Sequence, residues 1–472
     1  MRVSYILVQV WVRANLIFCE MLLQAENCIK IPENDIIVKE IFIQIRVRGK
    51  LRMAKKKIVV VGAGFAGISA TRELAKNLKN EAEITVIDKH GYQTSMTQLH
   101  EVAASRVMPD AVKYELKYTI GKFSNVKIVE DAMVELDREN KKVIGKNASY
   151  EYDYVIVSVG AEPNDFGVPG VKEFGYTLWS VDDALKIKAR LKEMVTKAKA
   201  TTDADERKKL LTFSIAGSGF TGIEMAGEMI DWRKKASKKY GIPESEFTIN
   251  VVEMMPTIMN VLDRDLADAG LRYLEKKNIH VLVNHGITGV SEDHITVNVG
   301  GRDEEKVVKE IPGYTLIWTT GVQGNLEAEG THLAETERGH RLSANEFMEA
   351  IGHENENIYV AGDVSGYIDG SGRPQPQIVE AAEQTGHTAA ANIVADIKGQ
   401  DKHAHKFEGK YRGTFVSIGS GYAVGTTGKA KYTGFPATFI KHMIYLVYTF
   451  EIRSGKYFFK YIKDQLFNHG DI

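Results

Sequence analysis

A glycine-rich turn between an apolar strand and a helix is the feature that most constrains this chain. Four consecutive apolar residues predict a buried strand, and Gly62, Gly64 and Gly67 follow it at the spacing G-x-G-x-x-G. The first glycine permits a tight turn, the second lets the backbone approach a pyrophosphate, and the third lets the next helix pack closely. A second apolar strand ends in Asp88, whose carboxylate can bind ribose hydroxyls. This order of elements predicts a dinucleotide site.

The same arrangement occurs a second time, further along the chain. An apolar strand precedes Gly217, Gly219 and Gly222, and the strand after the following helix ends in Glu253. Two nucleotide sites in one chain predict a tightly held flavin dinucleotide and an exchangeable nicotinamide, with electrons passing from the second to the first. Glu253 favours NADH over NADPH, because its charge would repel a 2′-phosphate and no arginine lies in residues 254–260.

Composition limits the class of protein. The 472 residues are enough for two or three domains, and a net charge of -1 predicts no nucleic-acid partner. No run of about 20 apolar residues is present that could cross a bilayer as a helix. Cys19 and Cys28 both precede the first glycine turn, so the rest of the chain has no thiol for catalysis. His403 and His405 form a loop pair without nearby partners, and we predict no metal site.

The order of the motifs predicts an α/β fold with two Rossmann-like dinucleotide-binding domains, the NADH domain being inserted in the FAD domain. We interpret Met53 as the functional start; a membrane-seeking leader or a genuine appended segment are the alternatives for the residues before it. The predicted boundaries are 1–52 for an extension outside the functional fold, 53–169 for the first part of the FAD domain, 170–318 for the NADH domain, 319–412 for the second part of the FAD domain, and 413–472 for a C-terminal region.

Several segments between the motifs carry smaller predictions. A helix over 180–199 begins at a capping box on Ser180 and continues into a polar connector, 201–209. Met254 and Met255 are predicted to fill the core. The mixed polar and apolar segment 92–105 is of the kind that lines a cofactor, and we interpret its histidine, His100, as a hydrogen-bonded structural residue.

Further cofactor contacts are predicted at the ends of later strands. Asp363 can take the ribityl hydroxyls of a flavin, and the long helix over 378–398 would direct its positive N-terminus at the isoalloxazine ring. The complete set of candidate cofactor-binding residues is Gly62, Gly64, Phe65, Ala66, Gly67, Asp88, Lys89, Gly160, Gly217, Gly219, Phe220, Gly222, Glu253, Gly321, Gly362, Asp363 and Val379.

The last 60 residues or so differ in character from the rest. Residues 435–450 and 456–467 combine large apolar and aromatic side chains with lysines, including Lys441. Such segments suit amphipathic helices that lie in a membrane interface. A hydrophobic contact between two copies of the chain is the alternative, and both can hold together.

From Met53 onward the chain resembles the type II NADH:quinone oxidoreductases, which are single-subunit, non-pumping respiratory dehydrogenases. The resemblance rests on IVVVGAGFAG, GSGFTGIEMAGE, WTTGVQGN and NIYVAGD in this order, followed by the amphipathic C-terminus. It implies FAD, NADH and a membrane quinone of the menaquinone type. It also implies a homodimer bound peripherally to the cytoplasmic face of the cell membrane. Glu224 matches the family glutamate near flavin and nicotinamide, which is implicated in hydride and proton handling.

One departure from the family pattern concerns the helix over the flavin. The family motif A-Q-x-A-x-Q has Glu380 in place of its first glutamine here, while Gln384 matches the second. The quinone type and the pH dependence are therefore open. Glu380 is expected to donate a proton to quinone, or only to accept a hydrogen bond from the flavin ring or a neighbouring backbone group. We predict Glu224, Glu380 and Gln384 as the catalytic residues.

Other functions of the same two-nucleotide fold remain as alternatives. A soluble FAD-dependent NADH oxidase, a diaphorase or a ferredoxin-type reductase needs only flavin and nicotinamide, but the amphipathic C-terminus argues against these. Disulfide reductases, cysteine-dependent peroxidases and sulfide:quinone oxidoreductases need redox thiols, which the chain lacks after Met53. No sequence feature favours a non-catalytic redox sensor.

Overall fold

The computed structural model describes residues 55–301, 304–452, 455–466 and 472. The chain divides into two compact units, Met1–Lys56 and Lys57–Ile472, and nearly all of the described residues belong to the second. The predicted extension 1–52 with its two cysteines, the proposed start at Met53 and the end of the segment 456–467 lie outside the described residues.

Strands and helices alternate through most of the described chain. The strands are β1 (Lys56–Val61), β2 (Ala82–Asp88), β3 (Tyr92–Thr94), β4 (Lys113–Glu115), β5 (Val126–Glu130), β6 (Met133–Asp137), β7 (Lys142–Gly145), β8 (Ser149–Glu151), β9 (Tyr154–Val157), β10 (Ala161–Pro163), β11 (Gly175–Thr177), β12 (Thr212–Ala216), β13 (Thr248–Val252), β14 (His280–Leu282), β15 (His285–Val290), β16 (His294–Val299), β17 (Val307–Pro312), β18 (Thr315–Trp318), β19 (Val322–Gly324), β20 (Ile358–Val360), β21 (Gly413–Ser417), β22 (Ala423–Thr427) and β23 (Ala430–Thr433). The helices are α1 (Phe65–Asn77), α2 (Leu99–Ala103), α3 (Leu116–Thr119), α4 (Val171–Phe174), α5 (Val181–Ala200), α6 (Ala204–Leu210), α7 (Phe220–Tyr240), α8 (Arg264–Lys276), α9 (Val379–Ile397), α10 (Phe435–Glu451) and α11 (Gly455–Leu466).

The first large sheet has the strand order β20-β9-β1-β2-β5. Residues 58–61 of β1 are all apolar because both faces of the sheet are covered there: Ile58 and Val60 face the core around α1, while Val59 and Val61 face a second core on the other side. The pairs β1–β9, β9–β20 and β2–β5 are parallel. The carboxyl ends of these strands therefore meet at one edge, where the first glycine turn begins.

The second large sheet has the strand order β11-β18-β12-β13-β14, and its pairs are all parallel. Ala216 pairs with both Val252 and Trp318, so the strands β12, β13 and β18 end side by side. As a result, Gly217 and Glu253 emerge at the same edge of the sheet. Two sheets of this kind confirm the predicted α/β fold with two Rossmann-like units.

The order of the strands along the chain is that of one domain inserted in another. The first sheet takes strands from 56–157 and then from 358–360, and the second takes strands between 175 and 318. Strands β10 and β19 pair as antiparallel neighbours. The chain passes through β10 after it leaves the first sheet and through β19 before it returns to that sheet. The exact domain boundaries stay a prediction.

The prediction that two neighbouring methionines fill the core is wrong. Met254 and Met255 do not fill the core, because their side chains are 70% and 46% exposed. They follow the end of β13 at the open edge of the sheet, and the backbone N–H of Met255 donates to Oε1 of Glu253. Their exposure places apolar side chains next to the acid of the second glycine motif.

Two predictions about loops are also wrong. The connector 201–209 contains most of α6, whose first turn is capped by Asp203 accepting from the N–H groups of Asp205 and Glu206. His403 has a partner: its Nε2 lies 3.0 Å from a carboxylate oxygen of the buried Glu349. By contrast, the predicted capping box of Ser180 at the start of α5 is confirmed.

Candidate active site

Each large sheet ends in a glycine turn of the same geometry. Gly62 and Gly217 have φ angles of +92° and +91°, which L side chains rarely adopt. A Cβ atom on Gly67 would overlap the carbonyl oxygen of Gly62, and one on Gly222 would overlap that of Gly217. Both helices therefore start in direct contact with the turn, as the motif predicts.

The middle glycines face open space. Gly64 and Gly219 are the residues that precede α1 and α7, and a Cβ atom on either would meet no described protein atom within 4 Å. Neither helix has a side chain that caps its N-terminus. The first-turn N–H groups are thus available to an anion, which fits the pyrophosphate of a dinucleotide.

The two acids make equivalent contacts at these turns. Oδ2 of Asp88 accepts from the N–H of Ala63 at 2.6 Å, and Oε2 of Glu253 accepts from the N–H of Ser218 at 2.9 Å. Burial raises the pKa of Asp88, against the hydrogen bonds that lower it. Each acid fixes the turn and lies where an adenosine ribose would be bound.

Asp363 has the properties expected of a flavin contact. It follows β20 at the carboxyl edge of the first sheet, and its buried Oδ1 has no hydrogen-bond partner among the described residues. Burial raises the pKa of Asp363 to about 6, although the charge of Arg341 opposes the change. A buried acceptor without a donor is costly, so a ribityl hydroxyl that donates to it fits this position.

The other candidate cofactor residues lie around the first sheet's edge or where the two sheets meet. Ala66 packs against Gly362 and Gly386, which brings α1 and α9 together. The remaining positions are Phe65 with its ring tilted and centred 5.1 Å from that of Tyr448, Lys89 paired with Glu327 at 2.6 Å, Gly160 accepting from the N–H of Asn325, Phe220 as the first residue of α7, Gly321 accepting from the N–H of Asn164, and Val379 as the first residue of α9.

Glu224 lies in the second turn of α7 in a buried polar cluster. Its Oε1 accepts from the ammonium of Lys441 and from the N–H of Ser417 at 3.3 Å, while Lys441 also donates to Oγ of Ser417 at 2.8 Å. His100, predicted as a hydrogen-bonded structural residue, has its Nδ1 3.6 Å from Oε2 of Glu224. The structure thus brings α7, β21, α10 and the segment 92–105 to one carboxylate.

Lys441 is a functional candidate that the sequence reasoning missed. It was grouped with the lysines of a membrane interface, but its residue is only 8% exposed and its ammonium points inward. Two tyrosines one turn apart on α10 also face inward: Tyr445 donates to the carbonyl of Thr97 and Tyr448 to the side chain of Gln93. A lone lysine in an otherwise apolar stretch was the available signal.

Glu380 and Gln384 lie on α9 and hold the loop that leads to β21. Glu380 accepts from Nε of Arg412 at 2.6 Å and from its backbone N–H at 3.0 Å. Gln384 donates to the carbonyl of Lys410 at 2.6 Å and accepts from its N–H at 3.1 Å. These contacts give both side chains an anchoring role.

A cavity of about 1210 Å³ lies beside these residues, between α1, α9 and the ends of α10 and α11. Aromatic side chains of Phe65, Tyr448 and Phe459 line it together with Glu383 and Gln384. Burial, with the charge of Glu451 adding to it, raises the pKa of Glu383 to about 7. Glu383 was not predicted from the sequence, because its burial depends on the C-terminal helices.

The described ranges contain neither a candidate membrane-spanning helix nor a candidate metal site. No helix in residues 55–301, 304–452 or 455–466 is long and apolar enough to cross a membrane. Within the same ranges no three His, Cys, Asp or Glu side chains are grouped so that they could hold a metal ion.

Comparison with known proteins assigns a class to this geometry. Residues 56–386 match the family model described as pyridine nucleotide-disulphide oxidoreductase. The type II NADH:quinone oxidoreductase of Staphylococcus haemolyticus is 30% identical over 392 residues, which is 83% of this chain and 94% of that protein. The solved structure of NDH2 from Plasmodium falciparum in complex with NADH has a TM-score of 0.80 at 18% identity, covering 89% of this chain and 100% of that one. The sulfide:quinone oxidoreductase of Aquifex aeolicus has a TM-score of 0.66 at 18% identity, with 85% and 92% covered.

The fold and the two glycine turns at the sheet edges are those of a pyridine nucleotide-disulphide oxidoreductase. Within that class, the chain belongs to the type II NADH:quinone oxidoreductases. Membership confirms the resemblance that the four sequence blocks indicated. The roles of the individual site residues stay predictions.

Substitution of the glycines in the first motif separates folding from cofactor binding. We expect Gly67→Ala to lower thermal stability, because its Cβ overlaps the Gly62 carbonyl and overpacking typically costs about 1–3 kcal/mol. Gly64→Ala should leave stability nearly unchanged in protein stripped of flavin, since its Cβ meets open space. It should still reduce the flavin content of the purified protein, measured by absorbance. If both variants lose flavin equally and neither loses thermal stability, this assignment is wrong.

Proposed function

We infer that this chain is an NADH:quinone oxidoreductase that uses FAD and NADH. The observation that carries this conclusion is the pair of dinucleotide-binding edges in a chain with no cysteine after Cys28. Electrons from NADH must therefore leave a bound flavin for an acceptor other than a protein thiol. The first sheet, with the unpartnered acceptor of Asp363, is the FAD side, and the second sheet is the NADH side.

The proposal extends to the type of quinone, the oligomeric state and the location of the protein. The quinone is of the menaquinone type, and the reaction does not pump protons. The protein works as a homodimer, bound peripherally to the cytoplasmic face of the cell membrane. Chromatography in detergent that gave only the monomer would argue against the dimer.

The outer face of α10 supports membrane binding. Five apolar side chains spaced three or four residues apart along it are exposed: Phe435, Phe439, Met443, Val447 and Phe450. The opposite face of the same helix carries Lys441 and the two inward tyrosines. One helix therefore presents an apolar stripe outward and polar anchors inward, as an interfacial helix does.

We propose the cavity beside Gln384 as the path of the quinone. Its lining includes side chains at the junction of α10 and α11, among them the exposed Phe450 and Phe459. A ligand with an apolar tail could enter there from the membrane without crossing water. The cavity reaches Phe65 at the start of α1, next to the first glycine turn.

The catalytic roles are divided between the two predicted glutamates. Glu380 is tied to Arg412, so we propose that it anchors the loop and that proton donation to quinone is not its task. Glu224 is buried beside Lys441, and we propose it as the residue that handles the proton. NADH supplies a hydride, whereas quinol formation takes two electrons and two protons, so each turnover needs one proton from the protein or solvent.

The proposed function is tested with the purified holoenzyme under anaerobic conditions. NADH should bleach the flavin absorbance, and menadione, a soluble naphthoquinone, should then restore it faster than air does. A soluble oxidase would instead be reoxidised faster by oxygen. A flavin that NADH fails to bleach would exclude both enzymatic functions.

Quinone affinity should depend on pH through Glu383. Because burial raises its pKa to about 7, this carboxyl is neutral below that pH and charged above it. A charge in the cavity disfavours an apolar occupant, so the KM for quinone should rise above about pH 7, by at most about tenfold per pH unit. Glu383→Gln should remove the rise and leave the KM for NADH unchanged.

The matched control for this prediction is Glu73→Gln. Glu73 lines the same cavity, but its Oε1 accepts from the amide of Asn77 at 2.8 Å and the side chain is one-quarter exposed. Its removal should leave the pH dependence of the quinone KM intact. If both variants behave alike, the dependence does not come from Glu383.

Membrane binding should depend on the apolar stripe of α10. The double substitution of Phe439→Glu and Val447→Glu places charges on exposed positions and should weaken binding to anionic vesicles by about tenfold or more. Menadione reduction in solution should be unaffected. Truncation at Gly434 is a poorer test, since it also removes Lys441 from Glu224.

The control is Val308→Glu on β17, an equally exposed apolar position in the antiparallel sheet formed by β15, β16 and β17. It should sediment with vesicles as the unaltered protein does. Full vesicle binding by the double variant would show that α10 is not the membrane contact.

A further inference from the structure

The Glu224 cluster is larger than the proposed function requires. The cluster contains three carboxyl groups, those of Glu101 on α2 and of Glu224 and Glu228 on α7. It also contains the cations of Arg106 and Lys441. All three carboxyl groups are buried, with residue exposures of 1% to 7%. Three carboxylates against two cations leave one negative charge that burial makes costly. A proton on one carboxyl group would remove this imbalance.

The pairings indicate which carboxyl group carries the proton. Lys441 donates to Glu224. Arg106 lies between two acids, with Nη2 2.6 Å from Oε1 of Glu101 and Nε 3.0 Å from Oε2 of Glu228. Glu101 additionally accepts from the side-chain amide of Gln465 at 2.8 Å. Glu101 and Glu224 are therefore both well compensated, and Glu228 is the least.

Glu228 is the best candidate on its own surroundings as well. It is 1% exposed, and neither oxygen has a hydrogen bond of good geometry among the described residues, despite the proximity of Arg106. Burial raises the pKa of Glu228 to about 7, against the opposing charge of Arg106. Such a group gains and loses its proton within the range in which an enzyme works.

Glu228 is placed to exchange a proton with Glu224. Glu224 and Glu228 are four residues apart on α7 and so share one face of the helix. His100 directs Nδ1 at Glu224, and its buried Nε2 has no partner among the described residues. Burial, with the charges of Lys441 and Arg106, lowers the pKa of His100 well below its ordinary value, so the imidazole is neutral. His100 is therefore not the group that stores the exchangeable proton.

The remaining titratable groups near Glu228 come from three helices. Asp231 is the next acid along α7; although burial raises its pKa, hydrogen bonds from Ser420 bring that pKa below the usual value, so it is ionised. On α10, burial lowers the pKa of His442, which pairs with the hydroxyl of Tyr461 on α11. Burial raises the pKa of Tyr445 well above its ordinary value. None of these groups competes with Glu228 as a proton store near neutral pH.

We propose that Glu228 holds an exchangeable proton that replenishes Glu224 during quinol formation. This inference rests on the proposed function, in which Glu224 handles the proton. In the transfer, the O–H bond of Glu228 breaks and an O–H bond forms on the carboxylate of Glu224, one turn away on the same face of α7. Glu228 is left as a carboxylate beside Arg106 and regains a proton from solvent. The balance is one proton per NADH oxidised and per quinone reduced.

The test is Glu228→Gln in the holoenzyme, followed by anaerobic stopped-flow spectroscopy. Flavin bleaching by NADH should keep its rate, because that step needs no proton from the cluster. Reoxidation by ferricyanide, which takes electrons without protons, should also be unchanged. Reoxidation by menadione should slow by about tenfold or more, with a larger solvent isotope effect and a changed pH profile. Failure of bleaching in the unaltered enzyme would sink the proposed function separately.

The matched control is Asp231→Asn, which neutralises an ionised acid one turn further along α7. It should show none of the acceptor-dependent change. Equal slowing of Glu228→Gln with ferricyanide and menadione, or no slowing with either, would overturn the proposal. If Glu228→Gln does not fold, Glu228→Asp keeps an acid at the position and should slow only the menadione step. An unchanged menadione step in that variant would also overturn it.

Discussion

The contact between a helix start and a turn carbonyl is the constraint on which the rest of the structure depends. At Gly67 and again at Gly222, any side chain would overlap the carbonyl of the first glycine in the motif. Absence of a Cβ lets α1 and α7 begin directly at the sheet edge with uncapped N–H groups. The edge acids Asp88 and Glu253 then close each turn from the neighbouring strand. Two nucleotide sites follow from one steric rule used twice.

The C-terminal helices complete the site as well as the surface. A Cβ on Gly227 would overlap the turn after β21, so α7 approaches that turn closely enough for Ser417 to reach Glu224. On the other side of the same carboxyl group, α10 brings in Lys441 while its opposite face stays apolar and exposed. A membrane contact on α10 would therefore lie on the same helix as the lysine that pairs with Glu224.

The wrong predictions have a common cause. Met254 and Met255 are apolar, and His403 stands in a loop, but whether such residues are buried or paired depends on distant segments. Distant segments also set the surroundings of two site residues: the partner of Glu380, Arg412, lies 32 residues away, and Glu383 shares its cavity with residues of α10 and α11. Only α6 was missed despite a local signal, since Asp203 and Glu206 have the spacing of a capping box.

Local rules sufficed for the scaffold. Glycine spacing, apolar periodicity and strand-end acids act over a few residues, so the two Rossmann units, the capping box of α5 and the long helix α9 could be derived without coordinates. The electrostatic part of the site was decided by tertiary structure alone. Glu224 and Lys441 are 217 residues apart, and a charge becomes a site component only when folding removes its water and supplies a partner.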